Sequence, residues 1–349
     1  MRQKRSGESL REAAIREARS FHIPRDFLRH RRHVEGYAID PEGSLDADDA
    51  VYVERGRTSY RLDVSIADTT CISPHSAIAR YAIQQVETRY MGNFAQDNMF
   101  PGEISTRCLS LTGGGFKPAI TLSAEIDADT GEIKRSHIEQ TLIEPKQISY
   151  QTMEYVRQHN QEDSDKLSAY FGLMQLLRRK AESERTDTEL EKTVQRARHF
   201  DQTAPHRTFS RMIGVKMVAE FMIFANHQFA QFLTTSPGLA IFRVHSNEHD
   251  PETSSTQFQT RRQRRRSANL RAYYDLMPGE HYGLRITPYT HATSPLRRLA
   301  DFATMSCLPG LTHNRFEFEP SVMRAIVQRA NEHNGVHTEI HEPADGTYA

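Results

Sequence analysis

Cysteine is scarce in this sequence, where only Cys71, Cys108 and Cys307 occur among 349 residues. Their odd number and wide spacing match neither a disulfide framework nor a zinc-binding pattern. Sparing use of unpaired cysteine is typical of proteins that work in the reducing cytosol, so we expect a cytoplasmic protein.

Long apolar runs and an excess of charge are missing as well. No stretch reaches the roughly 18 consecutive apolar residues of a membrane-spanning helix, and the N-terminus lacks the apolar core of a signal peptide. We therefore expect a soluble protein without a membrane partner. Because 45 lysines and arginines balance 45 aspartates and glutamates, any surface for nucleic acid must come from local clusters of basic residues.

Aspartate, by contrast, is concentrated in one short run near the start of the chain, at Asp40, Asp46, Asp48 and Asp49. Carboxylates so close together repel one another, and a pair about 4 Å apart costs roughly 4 kcal/mol at an effective dielectric of about 20. A folded protein keeps such a cluster as a solvated acidic turn or loose calcium loop, or because a divalent cation neutralises it.

The residues that flank this acidic run favour the cation. Tyr37-Ala38-Ile39 and Ala50-Val51-Tyr52-Val53 are apolar and β-favouring, so the run connects two buried strands. Oxygen ligands without nitrogen or sulfur suit Mg²⁺ or Mn²⁺ rather than zinc. We predict a site for one of these ions in the acidic run.

Three further motifs follow the aspartates along the chain: Leu62–Asp68 (LDVSIAD), Ala240–His245 (AIFRVH), and His281–Leu284 (HYGL) continued by Tyr289–Arg298 (YTHATSPLRR). Together with the aspartate spacing of six, two and one, they resemble in order the signature motifs of the ribonuclease II and ribonuclease R exoribonucleases, the RNB domain family. One such motif could arise by chance, but four in the same order over most of residues 33–340 form a specific match.

The resemblance implies an α+β fold, the RNB catalytic fold, with a mixed β-sheet core and surrounding helices. It also implies a Mg²⁺-dependent 3′→5′ exoribonuclease, with Mn²⁺ as the alternative ion, that hydrolyses single-stranded RNA to nucleoside 5′-monophosphates. Two ions about 3.5–4 Å apart activate water, neutralise the charge on phosphorus and anchor the leaving oxygen. Asp40 and Asp49 would be the most direct ligands, whereas Asp46 and Asp48 would bind the second ion or orient the water.

Arg297 takes from the resemblance the role of clamping the scissile phosphate, with Arg298 beside it; a paired surface arginine is the alternative. Since Ser294-Pro295 precedes them, we predict that Pro295 begins a helix, whose N-terminus would attract phosphate. Tyr90, at the end of a helix predicted over 76–90, corresponds to a tyrosine that stacks on the 3′-terminal base, although buried packing is an equal alternative.

Two weaker assignments complete the site. Glu332 occupies the place of a glutamate that the family carries on its final helix near the active site. His291, with Tyr289 in the same motif, would hydrogen-bond within the site or serve the structure alone.

The hydrophobic patterns predict strands at 36–40, 50–55, 60–67, 119–127 and 132–143, and helices at 76–90, 149–160, 165–184, 210–233 and 320–333. The aromatic and methionine residues of the 210–233 helix are expected to pack in the core rather than to stack on bases.

We divide the chain into a basic N-terminal extension (1–32), the catalytic domain (33–340) and a tail (341–349). The extension would form an arm, or one or two helices that lie on the main domain, and would touch RNA phosphates or simply face solvent. A polar insertion at 246–270 ends in an arginine run at 261–266, which either contacts phosphate or forms a solvated loop.

Family members typically flank the catalytic domain with OB-fold barrels that grip single strands. Too few residues precede Asp40 for such a barrel, so we expect short oligoribonucleotides, tRNA 3′ ends, or RNA delivered by a protein partner. The chain also departs from the family pattern at Ser65 (histidine), Ala292 (phenylalanine) and Leu299-Ala300 (aromatic-proline).

Two functions of other kinds stay open at this point. The first is a non-catalytic module that holds RNA 3′ ends or a protein partner. The second is a metal-dependent phosphoesterase that acts on a small nucleotide. Retention of a mutually repelling aspartate cluster argues against the first, because a binding module has no use for it.

Overall fold

The computed structural model of the protein describes residues 8–91, 94–112, 114–159, 164–182, 212–245, 271–308, 311, 318–341 and 343. The polar insertion 246–270 with its arginine run, and almost all of the 341–349 tail, lie outside the described residues.

The strands of the described part are β1 (Arg32–Val34), β2 (Tyr37–Asp40), β3 (Asp49–Arg55), β4 (Ser59–Ala67), β5 (Arg89–Met91), β6 (Phe94–Asp97), β7 (Lys117–Asp127), β8 (Ile133–Ile143), β9 (Lys146–Ser149), β10 (Phe242–Val244) and β11 (Tyr273–Asp275). The helices are α1 (Leu10–Ser20), α2 (Arg25–Leu28), α3 (Ala77–Gln85), α4 (Tyr150–His159), α5 (Ser164–Glu182), α6 (Ile213–Thr234), α7 (Leu299–Cys307) and α8 (Pro320–His333). One π-helical segment spans Glu103–Cys108.

Seven strands form the main sheet, in the order β1-β8-β7-β4-β3-β2-β9. The outer strands β1 and β9 pair in parallel with β8 and β2, and the other neighbours are antiparallel. The predicted α+β fold with a mixed sheet is therefore confirmed.

Strand β4, near the middle of this sheet, is buried on both faces. Leu62, Val64 and Ile66 pack with helices α4, α5 and α6 on one face. On the other face the Ser65 hydroxyl lies 2.8 Å from the Thr121 hydroxyl, and Thr121 bonds in turn to Thr141. This chain of buried hydroxyls satisfies its polar groups internally and gives Ser65 a structural role.

Helix α6 is a core element, as its apolar residues predict. Met217, Phe221 and Phe229 have no accessible surface, and full burial of a side chain of this kind contributes about 1.5–3 kcal/mol. Burial of these rings confirms that they are not a base-stacking platform.

The N-terminal residues described, 8–32, contain two helices rather than an arm without helices. Ser9 and Glu12 form a capping box that begins α1, and Ala14 packs against Ala77 and Tyr81 of helix α3. Across the described residues we find no helix with the length and apolarity of a bilayer-spanning segment.

Two predicted helix boundaries are wrong, and both errors lie beside the acidic run. Helix α3 ends at Gln85 rather than at residue 90, because Val86 adopts a φ of 68° and the chain then pairs with the 297–299 backbone. Pro295 does not begin a helix: a turn precedes Arg298, and α7 begins at Leu299. Tertiary hydrogen bonds override the local pattern at both positions.

Candidate active site

A cleft of about 850 Å³ lies where the β2–β3 connection meets the turn that precedes helix α7. Asp40 ends strand β2 and Asp49 begins strand β3, so the acidic run is the connection between two strands, as predicted. Backbone bonds hold this connection, including one from the Leu111 N–H to the Ala47 carbonyl. All four aspartates line the cleft.

Asp48 links the acidic run to the arginine turn. Its Oδ1 accepts the backbone N–H of Leu296 at 2.7 Å, and its Oδ2 accepts the Nε–H of Arg297 at 3.0 Å. The residue is 5% exposed. Both carboxylate oxygens of Asp48 are thus engaged by donors of the chain itself.

Asp46 is held from the opposite side of the cleft. Its Oδ2 accepts the Tyr90 hydroxyl at 2.6 Å, and burial together with the Asp46 charge raises the pKa of Tyr90. Among the described residues, no donor hydrogen-bonds to the side chains of Asp40 or Asp49. In the part of the chain that the structure describes, the four carboxylates therefore form two pairs, one with protein donors and one without.

The pKa values of three of these aspartates are raised, because the carboxylates are buried and lie close to one another. Burial raises the pKa of Asp40 to about 7, with the Asp46 charge adding to the shift. Burial also raises the pKa of Asp48 to about 7, although Arg297 opposes it. Burial, Asp40 and Asp48 raise the pKa of Asp49 well above its ordinary value. One guanidinium does not balance these carboxylates.

The donor set fits a divalent cation on this evidence. It consists of carboxylate oxygens whose charge Arg297 compensates only in part, and two of its side chains have no donor within the described ranges; such a set suits Mg²⁺ or Mn²⁺. In the described part of the chain, no three histidine, cysteine or acidic side chains already stand around one common metal position. Metal binding by the run stays a prediction.

The arginine turn presents two adjacent guanidinium groups with separate anchors. Arg297 donates to Asp48 and, through Nη2, to the Ser294 hydroxyl at 2.8 Å. Burial alone would lower the pKa of Arg297, but the neighbouring carboxylates raise it, so it is always charged. Arg298 occupies the N-cap position of helix α7, and its Nη2 donates to Asp301 at 2.8 Å.

His291 lines the same cleft within an aromatic group. Its Nδ1 lies 2.9 Å from the Tyr274 hydroxyl, and its ring stands 5.9 Å from that of Tyr289. Asn226 of helix α6 fixes this segment, because its amide oxygen accepts the Ala292 N–H at 2.9 Å. The sequence reasoning missed Asn226, for which an amide side chain after a run of apolar residues in the helix was the available signal.

Glu332 is the one predicted site residue that the structure does not bring to the cleft. It is exposed and accepts a hydrogen bond from Gln328 at 2.9 Å. Its neighbour His333 does line the cleft, and its Nε2 lies 3.6 Å from Oε2 of Glu87. Sequence reasoning missed both members of this pair, because neither belongs to a motif.

The other eight predicted residues share the cleft: Asp40, Asp46, Asp48, Asp49, Tyr90, His291, Arg297 and Arg298. Their individual roles stay predictions. Tyr90 reaches the cleft from strand β5 rather than from the end of a helix.

Comparison with known proteins identifies what this arrangement is similar to. A model of the RNB domain family matches residues 29–309. Exoribonuclease 2 of Haemophilus influenzae (strain 86-028NP) is 24% identical over 359 residues, which cover 85% of this chain and 54% of that protein. Ribonuclease R of Mycoplasmopsis pulmonis is 23% identical over 303 residues, which cover 75% of this chain and 42% of that protein. The chain thus spans about half the length of the curated relatives that it matches.

Solved structures share the fold. RNase R of Mycoplasma genitalium, in complex with double-stranded RNA, superposes with a TM-score of 0.71 at 19% identity, over 92% of this chain and 66% of that one. Yeast Ssd1, described as a pseudonuclease, superposes with a TM-score of 0.69 at 18% identity, over 89% of this chain and 44% of that one. Because this fold also occurs in a pseudonuclease, catalysis must be argued from the side chains of the cleft.

Proposed function

Because the chain belongs to the RNB domain family, we propose that it is a 3′→5′ exoribonuclease that releases nucleoside 5′-monophosphates from single-stranded RNA. The observation that carries the proposal is the bond between Asp48 and Arg297, which are 249 residues apart and make the acidic run and the arginine turn two walls of one cleft. Hydrolysis of a phosphodiester needs both a cation-binding set and a phosphate-binding group.

Asp40, Asp46, Asp48 and Asp49 would hold a pair of Mg²⁺ or Mn²⁺ ions, which would activate water and neutralise charge on the scissile phosphate. Asp40 and Asp49 are the best placed for direct ligation, since no described donor bonds to them. Asp48 has a second duty, because it orients Arg297.

Arg297 would bind the scissile phosphate, with Arg298 beside it. Its bonds to Asp48 and Ser294 set the orientation of the guanidinium before substrate arrives. Such preorganisation lowers the cost of reaching the transition state, because little rearrangement accompanies the growth of negative charge.

Tyr90 and His291 would contact the terminal nucleotides. The Tyr90 hydroxyl is tethered to Asp46, which leaves the ring as a stacking surface that tolerates any base. The cleft holds about 850 Å³, a volume in the range of ordinary ligand pockets, which has room for the nucleotides at a strand end. We include short oligoribonucleotides and tRNA 3′ ends among the substrates; a protein that delivers RNA stays a prediction.

A second candidate is a non-catalytic module that binds RNA ends or a partner protein, which the shared fold of the pseudonuclease Ssd1 supports. The raised pKa values in the acidic run argue against it. A buried, repelling cluster destabilises a protein, and a binding module gains nothing from it.

The test is incubation of the purified protein with 5′-labelled single-stranded RNA in Mg²⁺, in EDTA, and with the Asp49→Asn variant. A short oligoribonucleotide, a tRNA and a longer RNA are compared side by side. A Mg²⁺-dependent ladder that shortens from the 3′ end, absent in Asp49→Asn, supports the exoribonuclease. Retained RNA binding without cleavage by the wild type moves the conclusion to the binding module, and hydrolysis of small nucleotides alone indicates a phosphoesterase.

A further inference from the structure

Glu87 is an acidic residue of the cleft that the acidic run does not include. It lies between the strained Val86 and strand β5 and pairs through its backbone with Arg298. The next residue, Thr88, donates its N–H to the Arg297 carbonyl at 2.9 Å. Glu87 is therefore fixed directly beside the two arginines proposed to bind the scissile phosphate.

The carboxylate of Glu87 is held and yet accessible. Oε2 lies 3.6 Å from Nε2 of His333, and 39% of the Glu87 side chain remains accessible. His333, Arg298 and Arg297 outweigh the effect of burial and lower the pKa of Glu87, so it is ionised at neutral pH. An ionised carboxylate accepts hydrogen bonds and donates none.

A carboxylate that only accepts hydrogen bonds, placed beside a phosphate-binding site, restricts which groups of a ligand can lie next to it. It repels phosphate, so an RNA strand can satisfy it only through hydroxyl or base N–H groups. Base N–H groups differ among the four bases, whereas every ribose carries a 2′-hydroxyl. The terminal ribose of a strand adds a 3′-hydroxyl, and two neighbouring hydroxyls match the two oxygens of one carboxylate.

We propose that Glu87, positioned by His333, recognises the vicinal 2′,3′-hydroxyls of the 3′-terminal ribose. The inference rests on the proposed function and deepens it, because the terminal ribose is bonded directly to the phosphate that Arg297 would bind. Glu87 then selects RNA over DNA and a free terminus over a 3′-phosphorylated one. Glu332, which sequence reasoning placed in the site, faces solvent instead.

The experiment compares three labelled RNAs of one sequence, ending in ribose, in 2′-deoxyribose or in a 3′-phosphate. Values of kcat/KM are measured for the wild type, Glu87→Gln and Glu87→Ala. A matched control is Glu139→Gln, since Glu139 also faces a histidine, His137 at 3.3 Å, but lies on strand β8 outside the cleft. Thermal melting checks that each variant is folded.

The wild type should prefer the ribose end over the deoxyribose end by about 10- to 100-fold, the range of a hydrogen bond to a charged group. In the Glu87 variants the preference should shrink to less than about threefold, and the 3′-phosphate RNA should be cleaved relatively better. The Glu139→Gln control should keep the wild-type ratios.

The proposal is overturned if both Glu87 variants keep the wild-type ratios of kcat/KM among the three RNAs. It is also overturned if Glu332→Gln loses the preference for the ribose end while Glu87→Gln keeps it. Equilibrium binding of the same three RNAs in EDTA separates this inference from the proposed function. One outcome is that the wild type cleaves none of the RNAs and still binds the ribose end preferentially. If Glu87→Gln then lacks that binding preference, recognition by Glu87 stands and the proposed catalysis fails. Equal binding of all three RNAs by the wild type would contradict recognition by Glu87.

Discussion

Asp48 and Arg297 join the two walls of the cleft through a bond of 3.0 Å. The Asp48 side chain is 4% accessible and that of Arg297 is 27% accessible. Asp48 also receives the Leu296 N–H, so the acidic run determines where the arginine turn lies.

Substitution of Asp48 should therefore harm stability as well as activity. Asp48→Ala removes the acceptor of the buried Leu296 N–H and of the Arg297 Nε–H, and loss of the acceptor of a buried donor costs about 1–3 kcal/mol. Urea unfolding should show a lower free energy of unfolding for Asp48→Ala. Glu139→Ala, which breaks the exposed pair with Arg32, should cost no more than about 1 kcal/mol; equal losses in the two variants would contradict the anchor role of Asp48.

Asp49→Asn should stabilise the metal-free protein at alkaline pH. The pKa of Asp49 is raised in the fold, so the folded state keeps its proton to a higher pH than the unfolded state does. The ionised Asp49 carboxylate therefore destabilises the folded wild type. This effect is absent at acid pH, grows as the pH rises above the ordinary aspartate pKa of about 4, and is complete above the raised pKa.

Differential scanning calorimetry in EDTA measures this effect. We expect a higher melting temperature for Asp49→Asn than for the wild type at pH 8, by about 2–4 °C per kcal/mol gained, and no difference at pH 4. Asp129→Asn alters an exposed carboxylate and should leave the melting temperature unchanged at both values. A lower melting temperature for Asp49→Asn at pH 8 would refute the account of electrostatic repulsion.

Tyr90 offers a test of base stacking that separates its ring from its hydroxyl. Tyr90→Phe loses the bond to Asp46 but keeps the ring, whereas Tyr90→Ala loses both. Since stacking contributes about 1–3 kcal/mol per base, Tyr90→Ala should change the length of the final undegraded fragment and Tyr90→Phe should not. Gel analysis of limit products decides; identical products from all three proteins would mean that Tyr90 only packs.

The pair of Glu87 and His333 should be visible in a proton titration. Glu87 raises the pKa of His333 against the opposing effects of burial and Arg89. The stabilisation from this pair is fully present below the ordinary histidine pKa of about 6.5 and is lost as the pH rises through the raised value. By NMR, Glu87→Gln should lower the pKa of His333, and Glu332→Gln should not; an unchanged His333 pKa in Glu87→Gln would exclude the pairing.

Asn226 is expected to matter for stability because it joins helix α6 to the His291 segment. Asn226→Ala leaves the buried Ala292 N–H without its acceptor, at a cost of about 1–3 kcal/mol. Gln328→Ala, on the exposed side of helix α8 where its side chain donates to the exposed Glu332, should stay within about 0.5 kcal/mol of the wild type. Urea unfolding of both variants checks the difference, and equal stability would show that Asn226 is dispensable.

Several elements of the fold could be predicted because their causes are local. Helix α8 begins at Pro320 and ends at His333, as its pattern predicts, since Pro favours the first helical turn. The alternating apolar residues of β3, β4, β7 and β8 likewise revealed the centre of the sheet. Short strands such as β1 and β9, with three and four residues, carry too little pattern to be found.

What the sequence by itself determined is the presence of four aspartates between two strands and the chemical identity of the groups that could bind metal and phosphate. Which partners those groups contact was decided by the tertiary structure alone. Asp48 meets Arg297, Tyr90 meets Asp46, and Glu87 rather than Glu332 faces the cleft. Local periodicity reflects contacts between residues a few positions apart. The contacts in the cleft instead join residues far apart in the chain, which requires the closure of long loops. They also depend on hydrogen bonds that end a helix early, and the pattern of neighbouring residues reveals neither cause.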